Sequence, residues 1–99
     1  MVPNAPGGGY DLTVRTAVKI MEDDDITGRV EVFNVIGAGG TVAMARLMNE
    51  KGNGDLMMMM GLGVVGATYT NGSKARAADA TALAKMVEEQ EGILVPADS

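Results

Sequence analysis

Hydrophobic and polar positions follow different periods in successive parts of this chain. From residue 12 onward, Val14, Ala17, Val18 and Met21 recur at helical spacing and share one face. Residues 29–36 are instead rich in β-branched side chains that alternate, which is typical of a strand. The pattern therefore predicts a helix that ends near the acidic residues 23–25, followed by a strand.

The same alternation of elements continues after residue 40. Met44, Leu47 and Met48 form an apolar stripe that predicts a second helix from Thr41 to about Glu50. Residues 56–60 are continuously apolar between turn residues, as expected of a central parallel strand that is buried on both faces. Methionine is a flexible filler of protein cores, so the methionine run at 57–60 is interpreted as core rather than as a soft-metal site.

A glycine-rich turn follows each apolar or β-branched segment, at residues 6–9, 37–40 and 61–66. Strands that alternate with helices predict an α/β fold with a parallel sheet and right-handed crossovers, here beginning βαβαβ. The carboxyl ends of parallel strands meet at one edge of a sheet. We therefore expect the glycine turns to converge on one site.

The C-terminal part of the chain gives conflicting signals. Residues 75–90 are rich in Ala, Leu, Lys, Met and Glu, and their propensity favours a helix. Residues 92–96 then favour a short strand that ends at Pro96.

Composition excludes several classes of function. The 99 residues are enough for one small domain or part of a larger one, and the net charge of −5 argues against nucleic acid as a partner. Cysteine and histidine are both absent. This removes disulfides, thiolate or imidazole zinc sites, and Ser-His or Cys-His catalysis. We expect no catalytic residue, no metal, no cofactor and no enzymatic activity.

Glycine turns that precede helices have a chemistry of their own. The first N–H groups of a helix lack intrahelical partners, and the helix dipole adds partial positive charge there. One such terminus stabilises an anion by about 0.3–1 kcal/mol. Converging turns could therefore hold a carboxylate without an arginine. Asp11 is expected to be an N-cap or first-turn carboxylate, and Thr41 an N-cap.

A nucleotide site is the alternative hypothesis. Residues 61–66 match G-x-G-x-x-G, the fingerprint of a dinucleotide-binding turn, after an apolar segment. Residues 68–73 have a poor helical composition, and no acidic residue lies about twenty positions further on. No glycine turn here ends in the Gly-Lys-Ser/Thr of a phosphate P-loop. We therefore rank a nucleotide site below a carboxylate site.

Three segments together resemble one family. P-G-G-G-Y-D at residues 6–11 is similar to the P-G-G-x-x-D turn of the substrate-binding proteins of tripartite tricarboxylate transporters, the TctC or Bug receptors. N-V-I-G-A-G-G at 34–40 resembles their N-x-x-G-A-G-G segment, although Val35-Ile36 replaces the usual Arg-Pro. I-L-V-P-A-D-S at 93–99 resembles their crossover between lobes.

The resemblance implies a three-layer α/β lobe of the periplasmic binding protein type II class, with a small carboxylate held between two lobes. It also implies a periplasmic or extracellular receptor, its signal peptide removed, that delivers solute to membrane transporter subunits. The family binds ligand through the first two turns, and a third ligand-side turn matches here with less identity. The expected ligand-binding residues are Pro6, Gly7, Gly8, Gly9, Tyr10, Asp11, Gly37, Ala38, Gly39, Gly40, Thr41, Gly61, Leu62 and Gly63.

The resemblance further implies that residues 1–99 form a single partial domain, the first segment of lobe one, with a crossover at about 95–99. Residues 81–87 match a family strand, so a strand is preferred there over the helix that propensity favours. Such a partial lobe would bind its ligand weakly and would expose apolar surface. A homodimer or a strand swap is therefore a further expectation.

Overall fold

The computed structural model describes residues 1–99 and contains helices without a sheet. Helix α1 spans Gly9–Asp23, α2 spans Thr41–Asn49 and α3 spans Leu62–Thr70. Single 3₁₀ turns lie at Ala38–Gly40 and Ala77–Asp79. Helices of both kinds account for 39% of the chain. No helix is long and apolar enough to cross a bilayer.

The predicted α/β parallel sheet is wrong. Its remnant is one isolated parallel bridge between Val2 and Asn34, in which the Val2 amide donates to the Phe33 carbonyl at 2.8 Å. On the other side, the Met1 amine donates to the Met57 carbonyl at 2.7 Å, and the Met59 amide donates back to Met1 at 3.1 Å.

Proline gives the physical reason why this pairing does not extend. Residues 1–3 lie between the segments at 33–35 and 57–59, so they would form the middle strand of any sheet. Alternate residues of a strand face alternate neighbours, and Pro3 has no N–H to donate to the next position. The pairing with residues 57–59 therefore ends at Met1, and neither of the predicted strands at 29–36 and 56–60 forms a ladder.

The helices are closer to prediction. The predicted first helix is confirmed and ends at Asp23, as the run of acidic residues indicated, but it begins at Gly9 rather than Leu12. The second helix is confirmed between Thr41 and Asn49. Its N-cap is Gly40 and not Thr41, whose hydroxyl instead donates to the Ala38 carbonyl at 3.0 Å.

The core is small and lies where the start of the chain meets α2 and α3. Ten residues are buried, and the largest of those that are almost fully inaccessible to solvent are Met44, Val2, Val64 and Thr68. The methionines at 57–60 were predicted to be buried on both faces, but Met57 is half exposed and the other three are only partly covered. The interpretation of that run as a fully buried strand is therefore wrong.

The C-terminal segment forms neither the helix that its composition favours nor the strands that the family resemblance implies at 81–87 and 92–96. Residues 81–99 contain no helix or strand and are exposed throughout. The radius of gyration is 15.2 Å, against about 13 Å for a compact chain of 100 residues. The segment thus extends away from the core. An isolated helix of this length is marginal in water without a packing surface, so propensity alone does not form one.

Candidate functional site

Three glycine turns define the candidate site. Turn 1 comprises residues 6–9, turn 2 residues 37–40 and turn 3 residues 61–63, and each leads directly into one of the helices. Their N-caps are Gly8, Gly40 and Gly61. The predicted ligand-binding residues all lie in these turns or in the first turn of the helix that follows, as far as Asp11, Thr41 and Gly63.

Turns 1 and 3 are in contact through Tyr10. A Cβ placed on Gly61 would lie 2.7 Å from both Cε1 and the hydroxyl oxygen of Tyr10, and a Cβ on Gly63 would lie 3.5 Å from that oxygen. The Tyr10 ring therefore occupies the space that a side chain at Gly61 would need. Glycine at position 61 is explained by this close approach, because its backbone is extended and any residue could adopt it.

Turn 2 packs against the helix that turn 3 begins. A Cβ on Gly40 would lie 2.7 Å from a Val64 methyl, and one on Gly39 would lie 2.8 Å from Ala67 Cβ. All four residues of turn 2 have positive φ angles, including Ala38 at +47°. Glycine adopts this left-handed backbone without the steric penalty that a Cβ brings, which accounts for glycine at the other three positions of turn 2.

Asp11 holds turn 1 to the neighbouring segment. Its buried carboxylate accepts hydrogen bonds from the Gly7 amide at 3.0 Å, from Arg15 Nε at 3.0 Å and from Asn34 Nδ2 at 3.0 Å. Asn34 Nδ2 also donates to the Asn4 carbonyl at 2.9 Å. These donors, the Gly7 amide first and then Asn34 and Arg15, lower the pKa of Asp11 from 3.8 to about 2. Asp11 is thus a first-turn carboxylate, one of the two predicted roles, and not the N-cap.

Several of the predicted donors already have partners within the chain. The Gly7 amide donates to Asp11, the Gly40 amide donates to Gly37, and the Thr41 amide donates to Ala38. The amides of Gly8, Gly9, Gly39 and Leu62 are among those that donate to no acceptor of the chain. The donors that remain for a ligand thus come from all three turns, and they belong to a subset of the residues that the sequence indicated.

Arg15 and Asn34 were not among the predicted site residues, although both determine how turn 1 is held. A signal for Arg15 was present in the sequence, because Asp11 and Arg15 are spaced i,i+4 on one helix face. Asn34 stands 23 residues from Asp11, a separation at which sequence spacing gives no signal of contact. Because Arg15 is bonded to Asp11 and also donates to Asn34 Oδ1, it serves the turn rather than a ligand.

The structure has no cluster of three or more His, Cys, Asp or Glu residues that could hold a metal ion. Two open surface grooves lie away from the glycine turns. One, of about 640 Å³, lies between the C-terminal end of α2 and residues 73–79. The other, of about 290 Å³, is lined by residues of α1 and by Val30 and Val32.

Comparisons with protein-family models, with curated proteins and with solved structures give no match. The resemblance to the transporter receptors therefore rests on the short motifs alone. What the chain binds has to be inferred from its own turns.

Proposed function

We propose that this chain is the carboxylate-binding part of an extracytoplasmic solute receptor that serves a membrane transporter of the tripartite tricarboxylate type. The observation that carries the proposal is the contact between glycine turns that are distant in sequence, made through α3 and through Tyr10, which lies 51 positions before Gly61. The amides that these turns leave without partners then lie on neighbouring helix starts.

Backbone amides suit this ligand class in an acidic chain. The net charge of −5 repels an anion at long range, but that repulsion is screened beyond roughly 8–10 Å at physiological salt. Amide donors at helix starts act at short range, each with the partial positive charge of its helix. The carboxylate of a small acid could accept several of them at once.

The site residues are suited to binding a ligand rather than to acid–base catalysis. The one buried carboxylate at the turns, Asp11, keeps its negative charge and has its oxygens bonded to Gly7, Arg15 and Asn34. A general acid or base needs a pKa near the working pH, whereas the pKa of Asp11 is about 2. This favours a binding module over an enzyme.

The test is an NMR titration of ¹⁵N-labelled protein with succinate, citrate and glutamate, at constant ionic strength. We expect shifts centred on the amides of Gly8, Gly9, Gly39 and Leu62, with a dissociation constant on the order of 1 mM or weaker. The diamide of succinic acid, which has no charge, is the ligand control. Absence of any shift up to about 100 mM, or equal shifts with the diamide, would contradict the proposal.

A matched pair of variants separates the donor from the fold. Gly9 is the first residue of α1, where proline is favoured because the N–H there has no helical partner. Gly9→Pro therefore removes a donor and should keep the helix, whereas Gly9→Ala keeps the donor and meets no atom within 4 Å. We expect carboxylate binding to weaken in Gly9→Pro and to persist in Gly9→Ala. Equal affinity in both would remove the Gly9 amide from the site.

One observation favours the alternative hypothesis of a nucleotide site, and another opposes it. A helix does begin within the G-x-G-x-x-G segment, since α3 spans Leu62–Thr70, so the expectation of poor helical context was wrong. The Tyr10 ring, however, covers Gly61, where a pyrophosphate would have to approach the backbone. Titration with NAD, FAD and ATP tests this alternative, and shifts with a dinucleotide but with no carboxylate would reverse the ranking.

A further inference from the structure

The groove beside α2 is lined by basic side chains and lies apart from the glycine turns. It lies between the end of α2 and residues 73–79, measures about 640 Å³, and has Lys51 and Lys74 on its walls. Neither lysine forms an ion pair within the chain. Met48, Ala45 and Ala75 supply its apolar lining. The one acidic side chain there, Asp79, already accepts a hydrogen bond from the Arg76 amide.

The C-terminal segment has the opposite charge and lacks a packing surface. After Lys85 the chain carries Glu88, Glu89, Glu91 and Asp98 and no basic residue. The apolar residues that follow are almost fully exposed, with 95% of Ile93 and 95% of Leu94 accessible to solvent. An acidic stretch and an apolar stretch therefore stand next to each other without contacts to the core.

We propose that residues 88–95 of one copy of this chain dock in the lysine groove of a second copy. Glu88 keeps Lys85 as its partner, whereas Glu89 and Glu91 form no ion pair within the chain and would face Lys51 and Lys74. The apolar residues after them would cover the alanines and Met48. Each chain carries one groove and one such segment, so a twofold pair satisfies both contacts at once. The acidic segment and the basic groove complement each other in charge, which selects this occupant over an uncharged one.

Charge reversal with recombination tests the pairing directly. The groove variant is Lys51→Glu with Lys74→Glu. The tail variant is Glu89→Lys with Glu91→Lys, which leaves the Lys85–Glu88 ion pair in place. Sedimentation equilibrium at low salt should show the parent chain associating to twice its 10.2 kDa mass. Each variant alone should dissociate roughly tenfold more readily or more. An equimolar mixture should recover the dimer, because both contacts are then again between opposite charges.

Matched controls carry the same charge changes elsewhere. Lys19→Glu with Arg29→Glu mirrors the groove variant, and Asp24→Lys with Asp25→Lys mirrors the tail variant. These sites do not line the groove. Circular dichroism checks that helix content is kept. The proposal is overturned if the parent is a monomer throughout, if the controls dissociate as much as the variants, or if mixing fails to restore the dimer.

Discussion

Replacing Gly61 by alanine tests the contact that joins turns 1 and 3. The new methyl group would lie 2.7 Å from Tyr10 Cε1 and 3.1 Å from Cζ, closer than carbon atoms pack without displacement. The backbone at Gly61 is extended, so alanine brings no dihedral strain there. The whole effect of the substitution should therefore come from the Tyr10 ring.

The expected magnitude follows from overpacking. Inserting a methyl group into a filled contact typically costs about 1–3 kcal/mol. Since Tyr10 is only partly buried, its ring can move outward, and we expect about 1–2 kcal/mol. In a domain of this size that corresponds to a fall in Tm of several degrees, since 1 kcal/mol shifts Tm by about 4–8 °C.

A double-mutant cycle supplies the assay. Urea unfolding followed by circular dichroism gives the free energy of unfolding of Gly61→Ala, Tyr10→Ala and the double variant. We expect the cost of Gly61→Ala to fall close to zero once Tyr10 is alanine, a coupling of about 1–2 kcal/mol. Gly54→Ala is the control, because a Cβ there meets no atom within 4 Å.

The result that refutes the contact is an equal cost with and without the Tyr10 ring. Tyrosine emission gives an independent measure, because the chain has no tryptophan and only two tyrosines. In a Tyr69→Phe background, the emission of Tyr10 should change on Gly61→Ala and stay constant on Gly54→Ala. Unchanged emission in both would place Tyr10 away from turn 3.

Three further predictions concern single positions. Gly40→Ala should destabilise the protein by more than about 2 kcal/mol, because alanine is strained at a φ of +102° and its methyl group would lie 2.7 Å from Val64. A fall in the free energy of unfolding below about 0.5 kcal/mol, measured by urea unfolding, would refute this expectation. Gly66→Ala should stabilise by about 1 kcal/mol, because Gly66 lies within α3 and faces open space; an unchanged Tm would count against the helix there. Asp11 has a lowered pKa in the folded state, so the stabilisation by its carboxylate is complete above its unfolded pKa of 3.8 and is lost as the pH falls through about 2. The difference in unfolding free energy between the parent and Asp11→Asn should therefore shrink over that pH range. A constant difference would exclude a stabilising role for the ionised carboxylate.

The helices at 9–23 and 41–49 could be predicted because their signals are local. Apolar spacing, a glycine turn before each helix and acidic residues at the end of the first are sufficient for such a prediction. Helix α3 escaped prediction because glycine, threonine and tyrosine lower its propensity. It forms where Val64 and Thr68 are buried against the rest of the core, which is a tertiary effect.

The absence of a sheet could not be predicted from such local signals. Alternation at 29–36 and apolar character at 56–60 are properties of single segments, whereas a ladder needs a partner with free N–H groups along its length. The segment between them in space contains Pro3, which has no N–H and ends the pairing of Met1 with residues 57–59. The turns nevertheless contact one another, but through Tyr10 and α3 rather than along the edge of a sheet.

The carboxylate of Asp11 also has a consequence for the opening motions of the chain. Gly7 lies in an exposed turn, where amide protons ordinarily exchange with solvent within moments. Its proton is nevertheless shared with a buried oxygen that Arg15 and Asn34 hold in place. Deuterium uptake at this single glycine should therefore be slow, and its rate would report how often the Gly7 amide separates from the Asp11 carboxylate.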